Sequence, residues 1–263
     1  MKDYGNLLIM TDLDGTFFGK DASIVERNMK ALEEFEAHGG LFSFATGRVH
    51  TVVEKELIPG FCDLLTAPAV MCNGVNLYDP KAKKVLVDFS YPGELVRPIT
   101  AEIVDKYRPP IWFIYPGEDY YRHTSVDPRK VTDEVWHKVV FHSDPETILK
   151  IRDELRAKYG DILQISRSGW NLCEILPKES GKGVMLRKLK EYFAAQGRDV
   201  MTFGIGDFEN DLGLLEEADF AAAPANALPE IRAAADRVFC DHTKGAVAEL
   251  IEYACANYAV SND

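Results

Sequence analysis

Leu7-Leu8-Ile9-Met10-Thr11-Asp12-Leu13-Asp14-Gly15-Thr16 sets a short apolar run directly before two acids and an Asp-Gly turn signal. An unbroken apolar run bounded in this way reads as a fully buried strand of a parallel sheet, because such strands are covered on both faces. Residues 23–38 follow with Ile24, Met29, Leu32 and Phe35 at helical spacing, Ser23 as N-cap and Gly39-Gly40 as the stop. Leu41 to Ala45 is a second buried strand, ended by Thr46-Gly47. Strand, helix and strand in this order predict a right-handed βαβ unit.

The far end of the chain has the same texture. Helices are expected over Gly181–Phe193, Glu209–Ala218, Leu228–Ala235 and Gly245–Tyr258, with buried strands at Val200–Ile205 and Phe220–Ala223. Between them the pattern changes. Short aromatic strands (Val85–Phe89, Ile111–Tyr115, Tyr120–Arg122, Val139–His142, Ile162–Ser166, Leu172–Leu176) surround helices near 93–107 and 145–158. Strands in runs among fewer helices predict an antiparallel α+β module. The expected organisation is therefore an α/β core of residues 1–79 and 179–263, with an α+β insertion over 80–178 whose flanks, Tyr78-Asp79-Pro80 and Pro177-Lys178-Glu179-Ser180, carry turn chemistry.

Composition narrows the function classes. The 263 residues are 46% hydrophobic and 27% charged, which suits a globular chain rather than a disordered one. The net charge of -12 leaves no basic excess to release counterions, so neither nucleic acid nor an anionic membrane is an expected partner. An acidic chain can still take up an anion through a local device, a metal ion or a helix N-terminus. Cys62, Cys72, Cys173, Cys240 and Cys255 form an odd, scattered set without a C-x-x-C pair, so a disulfide framework or structural zinc is not expected and a reducing cytoplasm is. The apolar run at the start is too short for a signal peptide, and no stretch is long enough for a membrane helix.

Four segments could carry chemistry. In Asp12-Leu13-Asp14-Gly15-Thr16 two acids at i and i+2, beyond a strand's carboxyl end, would share one side of an extended segment, one as nucleophile and the other as general acid and base. Alone, the segment also fits a plain Asp-Gly turn. In Gly206-Asp207-Phe208-Glu209-Asn210-Asp211 the acids suit a hard cation such as Mg²⁺, although Asp207 could equally cap a helix. Thr46-Gly47-Arg48, next to an expected helix start, offers a hydroxyl and free N–H groups as an anion cradle. Lys182, in Gly181-Lys182-Gly183, stands at a helix start where the dipole disfavours a cation, a placement explained if it faces an anion.

Together and in this order, the four segments resemble the motifs of the haloacid dehalogenase superfamily of phosphohydrolases. Asn73-Gly74, the Gly181-Lys182-Gly183 helix start, and Ala223-Pro224-Ala225-Asn226-Ala227 through Gly245-Ala246-Val247 resemble its Cof-type subgroup. The resemblance implies a Rossmann-like three-layer α/β/α core with a parallel sheet and an inserted α+β cap of type IIB. It also implies a Mg²⁺-dependent phosphatase acting on a small phosphomonoester, a sugar phosphate or a phosphorylated cofactor or precursor. Asp12 would attack phosphorus to give an aspartyl-phosphate. Asp14 would protonate the leaving oxygen and then activate water. Asp12, the Asp14 carbonyl and Asp207 would hold Mg²⁺, with Asp211 behind them, while Thr46, Gly47, Lys182 and Asn210 would hold phosphate oxygens.

Phe17-Phe18 departs from the aliphatic pair usual after the first motif, and altered packing rather than lost chemistry is expected. His50, His123, His137, His142 and His242 show no paired metal spacing and read as surface or packing histidines. Trp112, Phe113, Tyr115, Tyr120, Tyr121 and Trp170 read as cap core rather than substrate wall, with loops near His123, Arg167 and Trp170 as candidates for selecting the leaving group. Two other readings share these residues. A phosphomutase or other phosphoryl transferase would use the same intermediate, and a non-catalytic protein could bind a phosphorylated ligand without needing a general acid.

Overall fold

A computed structural model describes residues 2–20, 23–49, 52–53, 64–115, 121–122 and 126–261. Cys62, His50, Tyr120 and His123 lie outside them, as does most of the helix expected after Gly47.

The first half of the core runs β1 (Leu7–Asp12), α1 (Glu26–Ala37), β2 (Leu41–Ala45), β3 (Ala69–Met71), β4 (Asn76–Asp79) and β5 (Lys84–Asp88). The cap follows as α2 (Gly93–Tyr107), β6 (Ile111–Tyr115), β7 (Lys138–His142), α3 (Pro145–Tyr159), β8 (Leu163–Gly169) and β9 (Leu172–Pro177). The chain then returns to the core with α4 (Lys182–Ala194), β10 (Met201–Ile205), α5 (Leu212–Glu217), β11 (Phe220–Pro224), α6 (Pro229–Ala234), β12 (Arg237–Phe239) and α7 (Ala246–Tyr258).

Eight strands form the core sheet in the order β12-β11-β10-β1-β2-β3-β4-β5, parallel from β12 to β3 and antiparallel over the β4–β5 hairpin. Alternation along β1 sorts its side chains onto two helical layers. Leu7 and Ile9 join Leu32 and Phe35 of α1 and Leu250 and Ile251 of α7. Leu8 and Met10 meet Met185, Leu186 and Leu189 of α4 on the other face. Both faces are therefore covered, which is why the strand reads as an unbroken apolar run. Phe17 and Phe18 are fully buried against this core, with Phe17 5.7 Å from Phe42 ring to ring, so the apolar bulk is kept. Among the described residues, no helix is long and apolar enough to cross a membrane.

The cap sheet runs β8-β9-β7-β6 and ends on the two-residue strand Tyr121–Arg122, all antiparallel. Period-two alternation again divides it. Trp112, Ile114, Val139, Phe141, Cys173 and Ile175 face α2 and α3, among Val96, Ile99, Ile103, Ile148, Ile151 and Leu155. The intervening positions Phe113, Tyr115, Lys138, Val140 and Glu174 line the cavity that the cap closes over the core. Asp144 starts α3 by accepting a bond from the Thr147 amide at 3.0 Å, ahead of Pro145.

Three expectations change. Val85–Phe89 does not belong to the cap sheet: Lys84–Asp88 is the edge of the core sheet, paired to Asn76–Asp79 by a short hairpin. Ser23 is not an N-cap, because α1 begins after extended Val25, while the Ser23 carbonyl accepts the Gly19 amide at 2.8 Å and Ile24 is exposed. Residues Leu13–Phe17 are not extended but close a wide turn, with the Phe18 amide on the Leu13 carbonyl at 2.9 Å. Asp12 and Asp14, on either side of Leu13, both line the cavity between core and cap.

Candidate active site

The carboxyl ends of β1, β2 and β10 meet the N-terminus of α4, and the site is built there. Asp12 ends β1 and is buried. Asp207 follows β10, and Asp211 closes the turn after it. One carboxylate oxygen from each of Asp12, Asp207 and Asp211 lies within 4.8 Å of the others. Lys182, at the first position of α4, sends a fully buried ammonium between two of them, 2.6 Å from Asp12 Oδ1 and 2.5 Å from Asp211 Oδ1. The anions that offset an unfavourable cation at a helix start are thus carboxylates of the chain itself.

Local geometry fixes each acid. Asp211 Oδ2 accepts the Asp207 and Phe208 amides, both at 3.1 Å, so the turn is held by the residue it delivers. Thr16 donates its hydroxyl to Asp207 Oδ1 at 3.0 Å. Asp14 lines the same cavity, half exposed, and its carboxylate takes a two-pronged contact from Arg48, 3.2 Å from Nε and 2.9 Å from Nη2. Asn226 donates to the Gly15 carbonyl at 2.8 Å and accepts the His242 amide at 3.0 Å, while His242 Nδ1 lies 2.7 Å from the Phe18 carbonyl. His242 is a packing histidine.

The electrostatics identify what the cluster lacks. Burial pushes the Asp12 carboxyl well above its usual range; Lys182 opposes this, and the charges of Asp211 and Asp207 add to it. Burial and then the Asp211 charge push Asp207 up to about 7. Burial alone would lower the Lys182 ammonium, but Asp12 and Asp211 outweigh it and hold the group above its usual range. Three carboxylates facing one ammonium leave a deficit of positive charge in a poorly hydrated pocket. A hard divalent cation would supply that charge, and oxygen ligands are what it takes, so the donor set fits one.

A cavity of about 440 Å³ opens over the cluster between core and cap. Asp12, Asp14, Gly47, Arg48, Asp207 and Asn210 form its floor, and Phe113, Tyr115, Lys138, Trp170 and Glu174 its roof. Phe113, Tyr115 and Trp170 therefore belong to the cavity wall rather than the cap core, whereas Trp112 is fully buried in the cap as expected. Thr46 is buried beside the floor and accepts the Arg48 amide at 3.2 Å. A hollow of about 490 Å³ between α1 and α7 is lined by Arg27, Glu252, Lys30 and Glu26, which already pair with one another.

A polar bridge across the cavity was not foreseen from sequence. Asn73 donates to Glu174 Oε2 at 2.8 Å and accepts from Asn210 at 3.0 Å, joining core to cap. Lys138 of the cap reaches the Gly47 carbonyl at 2.9 Å and Glu174 at 3.3 Å, above the Tyr115 ring. Cys72 and Asn73 have φ of 55° and 57°, so a left-handed turn presents Asn73. Burial alternates along Ile111–Tyr115, but the segment is apolar or aromatic throughout, so the sequence carried no alternation that could have exposed the roof.

Known proteins match this chain over almost its whole length. The chain is 24% identical over 272 residues to the 5-amino-6-(5-phospho-D-ribitylamino)uracil phosphatase YitU of Bacillus subtilis (strain 168), covering 93% of this chain and 96% of that protein. The crystal structure of SMU.1108c from Streptococcus mutans UA159 superposes with a TM-score of 0.80 at 22% identity, over 95% of this chain and 99% of the other. The solved HAD subclass IIB sugar phosphatase BT4131 gives 0.76 at 18% identity, over 94% and 98%, so the likeness of fold takes in the cap. A family model for haloacid dehalogenase-like hydrolases matches from Ile9 in β1 to Ile251 in α7, and the chain belongs to that family.

Proposed function

We propose that the chain is a Mg²⁺-dependent phosphatase that hydrolyses a small phosphorylated metabolite, a sugar phosphate or a phosphorylated cofactor or precursor, through an aspartyl-phosphate. The observation that carries this reading is the trio of Asp12, Asp207 and Asp211 around Lys182, beneath the cavity between core and cap. Names among the relatives, a ribitylamino-uracil phosphatase and a sugar phosphatase, support the substrate class. A cavity of about 440 Å³ suits a leaving group of that size.

In this reading Asp12, the Asp14 carbonyl and Asp207 hold Mg²⁺ with Asp211 behind them. The ion neutralises the mutual repulsion of a carboxylate and a phosphate dianion. Thr46, Gly47, Lys182 and Asn210 hold the non-bridging phosphate oxygens. An Asp12 oxygen forms a bond to phosphorus as the ester P–O bond breaks, and Asp14 gives its proton to the departing alkoxide. Asp14, now a carboxylate, takes a proton from water, whose oxygen attacks phosphorus and releases phosphate with Asp12 restored. The core carries this chemistry and the cap, from Tyr91 to Pro177, selects the leaving group.

The test is phosphate release from a panel of phosphorylated sugars, nucleotides and cofactors, with Mg²⁺ and again with a chelator. Release is expected from a narrow subset, lost on chelation, and lowered by 10³-fold or more in Asp12→Asn on the scale typical of a covalent nucleophile. A folded wild-type protein that releases phosphate from no compound, or an Asp12→Asn variant with full turnover, overturns the reading.

A further inference from the structure

Three arginines of the cap converge on one glutamate of the core. Glu209 is buried in the turn between Asp207 and Asp211, yet its side chain leaves the metal cluster and enters the cap. Arg152 Nη1 and Arg167 Nε reach Glu209 Oε2 at 2.8 and 2.9 Å. Arg156 Nη2 and the Arg167 amide reach Oε1 at 2.5 and 3.3 Å. Both oxygens are thereby satisfied by α3 and β8 of the cap. The preceding residue is clasped from the same side: the Arg167 guanidinium lies 5.3 Å from the Phe208 ring, and Trp170 meets that ring edge-on at 5.6 Å.

The asymmetry of this turn is informative. Of its acids, Asp207 and Asp211 point at the catalytic cluster and Glu209 points at the cap, so one rigid segment is gripped at both ends. Asn210, between them, also bonds to Asn73. A carboxylate with four donors loses them all if the cap swings away, and it must then rehydrate; a cap resting only on apolar contact would carry no such link. Resting on the phosphatase reading above, we infer that Glu209 is a positioning residue. Through the cap arginines, it makes correct placement of Asp207, Asn210 and Asp211 depend on the cap being seated.

Trp170 is the natural reporter, since Trp112 and Trp136, the other two tryptophans, are buried in the cap core. The experiment measures acrylamide quenching of tryptophan fluorescence against NaCl, together with kcat and KM, for wild type, Glu209→Gln and Arg152→Ala. In wild type, salt is expected to change quenching little, because buried ion pairs are screened far less than exposed ones. Glu209→Gln should show higher quenching than wild type at every salt concentration. For a sugar-sized substrate it should lose about tenfold or more in kcat while KM moves less. Arg152→Ala, which leaves the turn's own sequence intact, should show the same effects in smaller measure and serves if Glu209→Gln does not fold. Quenching and kcat equal to wild type in both variants overturn the inference. A wild type inactive on every phosphomonoester, with quenching that still rises in Glu209→Gln, would overturn the phosphatase reading and leave the seat standing.

Discussion

Gly15 has φ of 87°, and a Cβ built on it would stand 2.5 Å from Asp207 Oδ2. Gly15→Ala therefore combines a backbone cost of about 1–2 kcal/mol for the left-handed conformation with a direct push on a proposed metal ligand. Gly197 provides the control: its φ is 74°, and nothing lies within 4 Å of an added Cβ. Both alanine variants should lose stability, but only Gly15→Ala should weaken Mg²⁺ binding, by tenfold or more in calorimetric titration. Equal Mg²⁺ affinity in the two variants would mean that Asp207 yields without consequence. The residues that could be read from sequence are those whose partners hang on strand ends, Asp12, Asp207, Asp211 and Lys182, because a polar group straight after a buried apolar run has a narrow range of explanations. Asn73 was legible only as part of a subgroup motif, without its partners, and Lys138 and Glu174 were hidden, since each acquires meaning only from partners brought together by pairing of distant strands.

Glu36, on α1, shows how an element can carry a liability unrelated to the site. Its Oε1 is buried without a hydrogen-bond partner among the described residues, and burial, opposed by the charge of Lys81 and helped by that of Glu33, pushes the carboxyl up to about 7. The unfolded chain ionises this acid near 4.5 and the folded one only near 7, so the group does not affect stability below pH 4.5. It becomes increasingly destabilising as pH rises to 7, and the effect is constant above that. Glu36→Gln should melt a few degrees above wild type at pH 8 and at the same temperature at pH 4; a gain that is independent of pH would refute the cause. Among elements generally, strands and helices with several apolar repeats were legible. Ala69–Met71, Asn76–Asp79 and Arg237–Phe239 were not, because three or four residues are too few to display a period. The same brevity let Lys84–Asp88 be assigned to the cap, whereas its hairpin with Asn76–Asp79 ties it to the core sheet.

At the scale of the whole molecule, a net charge of -12 and a trio of carboxylates both respond to cations, but in different ways. General surface repulsion is relieved by any salt at matched ionic strength. The trio has a fixed geometry around Lys182 that the unfolded chain lacks, so a cation bound there is linked to folding. Mg²⁺ at a hundred times its dissociation constant should add about 2.7 kcal/mol, which for a chain of this size corresponds to a rise of roughly 5–11 °C in melting temperature. The rise should saturate with Mg²⁺, disappear with a chelator, and shrink to the level of an ionic-strength-matched NaCl control in Asp207→Asn. Because the cap has its own apolar cluster around Trp112, Trp136 and Phe141, the gain should fall on the transition of the core, with the cap following only as far as Glu209 couples the two. A wild-type rise no greater than that of matched NaCl would show that the carboxylates hold no specific ion, and the metal-dependent chemistry assigned to them would fall with it.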